Sequence, residues 1–254
     1  PRRQVRRALA LPARCYLGEP AARDTLPALT WSTALIAQRD AGAVVGVFPS
    51  DHLMEPESAF REVVLKGYRY AEQHPETLVC FGVPPTEPAT GFGYLELGEA
   101  PDGPLGGEAR RVLRFTEKPD LDTARRFLQA GPSRYLWNSG MFVWSARGFL
   151  DRVARYQPQI AEGVTRILAA RAGRRRRLLA RVYPQLKKIS VDYGVMEPAS
   201  LDPSGQVAAI PLPPALRWRD VGSWPAYAAA CPRDEQGNAA PGGRSVLVAC
   251  TDSL

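Results

Sequence analysis

Apolar residues in this chain fall into short runs and one-sided stripes that alternate along the sequence. Ala43-Val-Val-Gly-Val-Phe48 is a continuous apolar run, the pattern of a strand buried on both faces. Pro56 suits the first turn of a helix, and Phe60, Val63, Val64, Tyr68 and Ala71 follow at helical spacing to give it one apolar face. Thr77 to Gly82 predicts the next strand. Gly91 to Leu97 and Arg111 to Phe115 predict two more, separated by the Gly/Pro-rich turn Pro101-Asp-Gly-Pro-Leu-Gly-Gly107. Asp120 is placed to cap a helix through Phe127 and Ser145 another through Tyr156, with a strand at Gly140-Met-Phe-Val-Trp144 between them. Strands alternating with helices predict an α/β fold, a mostly parallel sheet with helices on both faces. No repeat, low-complexity tract or linker divides the chain before about residue 230. In such sheets ligands gather beyond the carboxyl ends of the strands. That directs attention to Pro49 onward, Thr116 onward, and the turns flanking Met141.

Composition narrows the class. The chain has 254 residues, 45% hydrophobic and 23% charged, an ordinary globular balance that is long enough to bury a good core. No stretch approaches the roughly 20 apolar residues that span a bilayer, so no membrane partner is expected. Pro1-Arg-Arg-Gln-Val-Arg-Arg7 lacks the apolar segment of a secretory signal. Cys15, Cys80, Cys231 and Cys250 form no CxxC pair, and Cys80 sits inside an apolar run, so a reducing cytoplasm fits better than a disulfide framework or a zinc site. The net charge is +7, with a pI near 9.5. It is concentrated in Arg2–Arg7 and Arg174-Arg-Arg-Arg177, and neither run carries the interleaved aromatics of a nucleic-acid platform. Solvated helix faces are the expectation for both runs, and nucleic acid is not expected as a partner. A basic surface also suits nucleotides and sugar phosphates.

The candidate chemistry lies at the predicted strand ends. Asp51, in Phe48-Pro-Ser-Asp-His52, follows the first apolar strand and suits a hard cation such as Mg²⁺; the plainer alternative is an Asx turn or helix cap. Asp220, in Trp218-Arg-Asp-Val-Gly-Ser-Trp224, could complete a two-carboxylate metal site, or could cap a helix starting near Ser223. Lys118 in Phe115-Thr-Glu-Lys-Pro119 is a point charge suited to phosphate and Glu117 an acceptor suited to sugar hydroxyls, unless the two are a surface ion pair. Asn138 offers a two-sided amide, Gly140 a close backbone approach, and Asp192 an acceptor for a hydroxyl or a metal-bound water. Asp120-Leu-Asp122 resembles a DxD metal motif but opens a helix. The two histidines, His52 and His74, have no HExxH context, and neither GxSxG nor GxxxxGK[ST] occurs.

Taken in order, seven segments resemble the mannose-1-phosphate guanylyltransferase family. They are Glu19-Pro-Ala-Ala-Arg-Asp-Thr-Leu-Pro-Ala28, Phe48–His52, Gly91-Phe-Gly-Tyr-Leu-Glu96, Phe115–Pro119, Trp137-Asn-Ser-Gly-Met-Phe142, Ser190-Val-Asp-Tyr-Gly-Val-Met-Glu197 and Trp218–Trp224. The resemblance implies a Rossmann-like, GT-A-like nucleotidyltransferase sheet with Mg²⁺ held by Asp51 and Asp220. It implies that Lys118 binds the sugar phosphate, that Glu117, Asn138 and Gly93 line the sugar pocket, and that Arg23 and Asp24 lie near the nucleotide. The implied reaction joins mannose 1-phosphate to GTP, giving GDP-mannose and pyrophosphate. Uridylyl or adenylyl transfer, a non-catalytic sugar-nucleotide binder and a homo-oligomeric assembly all stay open. The family usually has Asn at the position of Asp24 and Ala at that of Leu26. Its opening glycine-rich GGxGxR-like loop has no counterpart here. On this reading residues 1–230 are an incomplete catalytic domain and 231–254 lead into a C-terminal module, so the chain is expected to be cut at both ends.

Overall fold

Strand propensity and helix capping together set the element order. The computed structural model describes residues 12, 15–98, 109–204, 206–239 and 250–252. The Arg2–Arg7 run and the Pro101–Gly107 turn lie outside them. Helix α1 (Thr25–Ala37) is apolar nearly all round and starts where the Asp24 carboxylate accepts the Thr25 N–H. Strand β1 (Val44–Val47) is the predicted apolar run, and β2 (His52–Glu55) follows after a turn. Helix α2 (Glu57–Gln73) carries the predicted stripe and leads into β3 (Thr77–Val83), every residue of which is buried. Strands β4 (Tyr94–Leu97) and β5 (Arg110–Thr116) precede α3 (Leu121–Ala130), whose first turn is capped by Asp120. The DxD-like pair therefore does open a helix. Strand β6 (Tyr135–Ser145) runs straight into α4 (Ala146–Tyr156), capped by Ser145 as the sequence predicts. Helices α5 (Pro158–Ala169) and α6 (Ala172–Val182), a π-helical turn (Asp192–Met196) and α7 (Glu197–Leu201) come next. Strands β7 (Gln206–Pro211) and β8 (Arg217–Asp220) and helix α8 (Trp224–Ala230) complete the order.

The main sheet has the order β1-β6-β3-β7-β5-β4, and β6 also pairs with β4. Strand side chains alternate between two cores, which confirms an α/β layer with helices on both faces. Leu78 and Cys80 of β3 pack with Leu26 of α1 and Phe149 and Val153 of α4. Val79 and Phe81 of the same strand pack with Val63 and Tyr70 of α2 on the other side. The expected strand direction needs correction. Among the described residues only β3–β7 is parallel, while β1–β6, β3–β6, β4–β5, β4–β6 and β5–β7 are antiparallel. Alternation of strands and helices predicts parallel pairing only if each helix is a crossover returning to the same edge. Here the reversal comes between β4 and β5, which pair antiparallel; β5 and, after α3, the long β6 share one direction, and β6 runs against β1, β3 and β4.

Several placements follow the sequence reading. Burial pushes the Cys80 thiol up, the behaviour of an inert core residue. Arg174, Arg176 and Arg177 are exposed on α6, while Arg175 donates to the Leu168 carbonyl at 2.9 Å. No helix among the described residues is long and apolar enough to cross a membrane.

Candidate functional site

Asp51 and Asp220 meet, by a route the sequence does not announce. They do not close neighbouring strands of the main sheet. Instead β2 and β8 form a separate two-stranded antiparallel ribbon in which His52 faces Asp220 and Met54 faces Trp218. Asp51 lies in the turn between β1 and β2, where its carbonyl accepts the Val221 N–H at 2.8 Å. One donor atom each from Asp51, His52 and Asp220 falls within 4.8 Å of the others. Gly222 closes this corner: a Cβ there would stand 2.9 Å from Asp220 Oδ1 and 3.1 Å from Asp51 Oδ2, so only glycine leaves both carboxylates open. Helix capping explains neither acid. β2 separates Asp51 from α2, and Ser223 caps α8 by accepting the Ala226 N–H. Two carboxylates at an open corner fit a hard divalent cation. Burial lowers His52, while Asp220 and Asp51 pull it the other way.

A second group of acids and amides gathers around the β6 bulge. Between Cys80 and Gly82 of β3 the pairing with β6 slips from Phe142 to Asn138, and Gly140 takes φ +71 inside the extra residues. The Ser139 hydroxyl donates to the Phe81 carbonyl at 2.7 Å and accepts the Met141 N–H at 3.2 Å, which pins the bulge. Asn138 is oriented at both ends: Nδ2 donates to Asp192 Oδ1 at 2.9 Å, and Oδ1 accepts the Gly140 N–H at 3.1 Å. Its backbone N–H reaches the Gly93 carbonyl at 2.8 Å. Gly93 is also where a Cβ would come within 2.5 Å of Glu117 Oε2, so glycine there makes room for that carboxylate.

Glu117 and Lys118 are not a surface pair. Their charged groups are 3.7 Å apart, but the Glu117 side chain is only 10% exposed against 58% for Lys118. The lysine can therefore reach outward while the acid stays in the pocket. Lys118 has φ 47 and Asp24 φ 64, which makes both strained positions for L residues. Arg23 donates to the Pro184 carbonyl, and the Ile189 N–H returns to the Arg23 carbonyl at 3.4 Å. Asp24 sits close enough to push Asp192 upward. Leu26, the other departure from the family pattern, is fully buried. A Cβ at Gly194 would come 2.5 Å from Leu26 Cδ2, so the larger residue at 26 is matched by glycine at 194.

Burial, and then the neighbouring Asp192, push Glu117 up to about 7 from an ordinary 4.5, against the pull of Lys118. Burial raises Asp192 too, although hydrogen bonds from Asn138 and Ser190 oppose it. Because folding raises the affinity of Glu117 for its proton, its stabilising contribution is full below pH 4.5 and is lost as pH rises through about 7. Glu117→Gln, which mimics the protonated acid, should melt within error of the parent at pH 4.5. At pH 8 it should melt above the parent by about 2–4 °C, roughly 1 kcal/mol after allowing for screening by solvent beside Lys118. A scanning-calorimetry series across that range showing a constant difference would contradict the assignment.

A row of aromatic rings runs from the ribbon to Trp137 on β6. His52 meets Trp218 edge-on with centroids 5.3 Å apart, Trp218 meets Phe92 at 5.3 Å, and Phe92 meets Trp137 at 5.2 Å. Each ring adjoins a candidate residue: His52 follows Asp51, Trp218 lies two residues before Asp220, Phe92 precedes Gly93 and Trp137 precedes Asn138. Asp51 and Asp220 lie at the His52–Trp218 end of this row, while Asn138 and Asp192 gather on the face of β6 opposite Trp137, beside the core that holds Val191 and Val195. Arg23 is turned away to Pro184. Sequence reasoning passed over His52, Trp218 and Phe92; the signal for Phe92 and Trp218 was their place inside segments already singled out.

Comparison with known proteins identifies the family. The chain is 38% identical over 226 residues to the xanthan biosynthesis protein XanB of Xanthomonas campestris pv. campestris, covering 87% of this chain and 44% of that protein. It is 35% identical to mannose-1-phosphate guanylyltransferase of Escherichia coli K12, covering 81% of this chain and 42% of that one. The chain therefore spans less than half the length of these curated relatives. The crystal structure of mannose-1-phosphate geranyltransferase from Thermus thermophilus superposes with a TM-score of 0.70 at 32% identity, over 87% of this chain and 59% of that one. A family model described as nucleotidyl transferase matches residues 4–237, which take in both acidic groups and the aromatic row. The chain belongs to the nucleotidyl transferase family.

Proposed function

We propose that residues 1–230 are catalytic and join mannose 1-phosphate to GTP, forming GDP-mannose and releasing pyrophosphate. The observation that supports this reading is the two-carboxylate corner of Asp51 and Asp220, together with the cluster of Glu117, Lys118, Asn138 and Asp192 around Gly93. It is strengthened by similarity to a protein named for that activity. In the reaction a phosphate oxygen of mannose 1-phosphate attacks the α-phosphorus of GTP, and the bond from that phosphorus to the bridging oxygen breaks as pyrophosphate leaves. The attacking oxygen is already anionic, so no protein nucleophile is needed; the protein's task is to align two polyanions and offset their charge.

Lys118 reaches the sugar phosphate from the mouth of the pocket. Glu117 and Asn138 accept and donate to sugar hydroxyls, and Asp192 holds the Asn138 amide in one orientation. Gly93 leaves room for Glu117 beneath the sugar. Asp24 and Arg23 border the nucleotide side, with Arg23 fixing the segment after Pro184. Asp51 and Asp220 are the residues that would hold Mg²⁺, whose charge, when bound, offsets that of the α-phosphate and the departing pyrophosphate. The buried Cys80 thiol and the lack of a long apolar helix among the described residues are in keeping with a cytoplasmic setting.

The test is pyrophosphate release from GTP, mannose 1-phosphate and Mg²⁺, run in parallel with UTP and ATP. Release confined to GTP is the expected result. Preferential release from UTP or ATP would assign another branch of the family. Calorimetric binding of GDP-mannose without turnover on any nucleotide would assign a sugar-nucleotide binder instead.

A further inference from the structure

The three potential metal ligands at the ribbon are not equally available. Trp218 Nε1–H donates to His52 Nδ1 at 3.2 Å. That bond uses the lone pair on Nδ1 and leaves the proton of the neutral ring on Nε2. A cation could take Nδ1 only by displacing the indole N–H. It could take Nε2 only if the ring proton moved to Nδ1, which would set two N–H groups head to head. Either nitrogen becomes a ligand only when the Trp218 bond is lost. The indole is also held in place. Trp218 pairs with Met54 across the ribbon and packs on Phe92, with ring centroids 5.3 Å apart.

We propose that Trp218 sets the metal preference of the Asp51–Asp220 corner by withholding His52 from it. The corner then offers carboxylate oxygen alone, the donor set of Mg²⁺ and Mn²⁺. Imidazole nitrogen, which favours Zn²⁺, Co²⁺ and Ni²⁺, is excluded. This rests on the reading of Asp51 and Asp220 as metal ligands. Trp218 is a specificity-determining residue that acts through His52, and it touches no substrate in this account.

The experiment is calorimetric titration of the protein with Mn²⁺ and Zn²⁺, with the visible spectrum of bound Co²⁺ as a second readout. Trp218→Phe keeps an aromatic ring in the row and removes the indole N–H together with its fused five-membered ring. It should raise Zn²⁺ affinity by about tenfold or more, the usual scale for gaining or orienting an imidazole ligand, and leave Mn²⁺ affinity within about twofold. Co²⁺ bound to the variant should show a nitrogen-shifted spectrum that the parent lacks, and adding His52→Gln should reverse both changes. Unchanged Zn²⁺ affinity in Trp218→Phe would overturn the proposal. So would Zn²⁺ binding by the parent that is lost on His52→Gln. Asp51→Ala separates this idea from the one beneath it: if that variant binds Mn²⁺ as the parent does, the corner is no metal site and both readings fall. If Mn²⁺ binding weakens while Trp218→Phe changes nothing, only the role of Trp218 falls.

Discussion

Asp51→Ala and Asp220→Ala are each expected to lower kcat/KM for nucleotidyl transfer by about 10³-fold or more, because charge stabilisation by a bound cation is worth several kcal/mol and every 1.36 kcal/mol is a factor of ten. The geometry makes the two losses redundant. Both carboxylates belong to one donor group within 4.8 Å, so removing either leaves a single exposed acid that cannot hold a divalent cation between phosphates. The double variant should therefore be about as slow as either single one rather than the product of the two effects. Folding should not suffer. Without a bound cation the two carboxylates stand close together at the corner with like charges, and deleting one relieves repulsion. That gain offsets the exposed Asp220 Oδ1 contact to the Gly222 N–H at 2.9 Å. Steady-state kinetics with circular dichroism on the same samples would settle the matter. A single variant that keeps more than a tenth of the parent rate while folded would remove these residues from the catalytic centre.

The sequence made the main elements legible and left their partners obscure. Strands β3 and β6 were readable because a continuous apolar run means burial on both faces, and both lie inside the sheet; β1 carries the same pattern but is an edge strand with only partly buried residues. The caps at Asp120 and Ser145 were readable because capping is a local bond between a side chain and the N–H three residues on. Helix α1 was harder. Its apolar residues surround the axis, so no one-sided stripe marks it. The ribbon was hardest of all. His52-Leu-Met-Glu55 and Arg217-Trp-Arg-Asp220 are short, charged and more than 160 residues apart, and neither alternates cleanly. What joins them is tertiary: the His52–Trp218 bond and the packing of Trp218 on Phe92. Strand direction was misread for a related reason, since periodicity reports which faces are buried and says nothing about which way a neighbour runs.

The chemistry-bearing residues were legible as types but not as a constellation. Glu117 next to Lys118 reads as an ion pair in sequence, and only the depth of the pocket separates the buried acid from the exposed base. The Asn138–Asp192 bond spans 54 positions, and the residue between Asn138 and Gly140, Ser139, pins the bulge that aims the amide. Two of the three non-glycine residues at positive φ among the described residues, Asp24 and Lys118, lie near Asp192 and Glu117 respectively. Asp24 also caps α1, so its backbone conformation serves the start of that helix.

Phe149→Ala is expected to cost about 3–5 kcal/mol of stability, the range for emptying a fully buried aromatic site. Phe149 is wholly buried and stacks on Trp144 with centroids 4.2 Å apart and planes 4° from parallel. Trp144 in turn stacks on Phe142 at 5.5 Å. The void would open at the end of this stack, against Trp144, and β6 and α4, joined without a loop, cannot move independently to close it. Ser145 fixes that junction, accepting the Gly148 N–H at 2.9 Å and donating to the Pro75 carbonyl at 2.7 Å. A Cβ at Gly148 would lie 2.3 Å from the same carbonyl, so the helix has no room to slide inward. Against a total stability of about 5–15 kcal/mol, the loss should bring the variant near its unfolding threshold and lower its melting temperature by roughly 10 °C or more. Urea titration followed by intrinsic tryptophan fluorescence would measure it, with Phe149→Leu as the partner variant that keeps most of the apolar volume but loses the stacked ring. The leucine should recover more than half of the loss, because burial outweighs the stacking contribution of about 0.5–1.5 kcal/mol. A loss under about 1.5 kcal/mol for alanine would mean that the site collapses after all. Val191 and Val195, which flank Asp192, belong to the same core. A collapse would therefore be expected to shift the acid that orients Asn138, and affinity for GDP-mannose would fall along with stability.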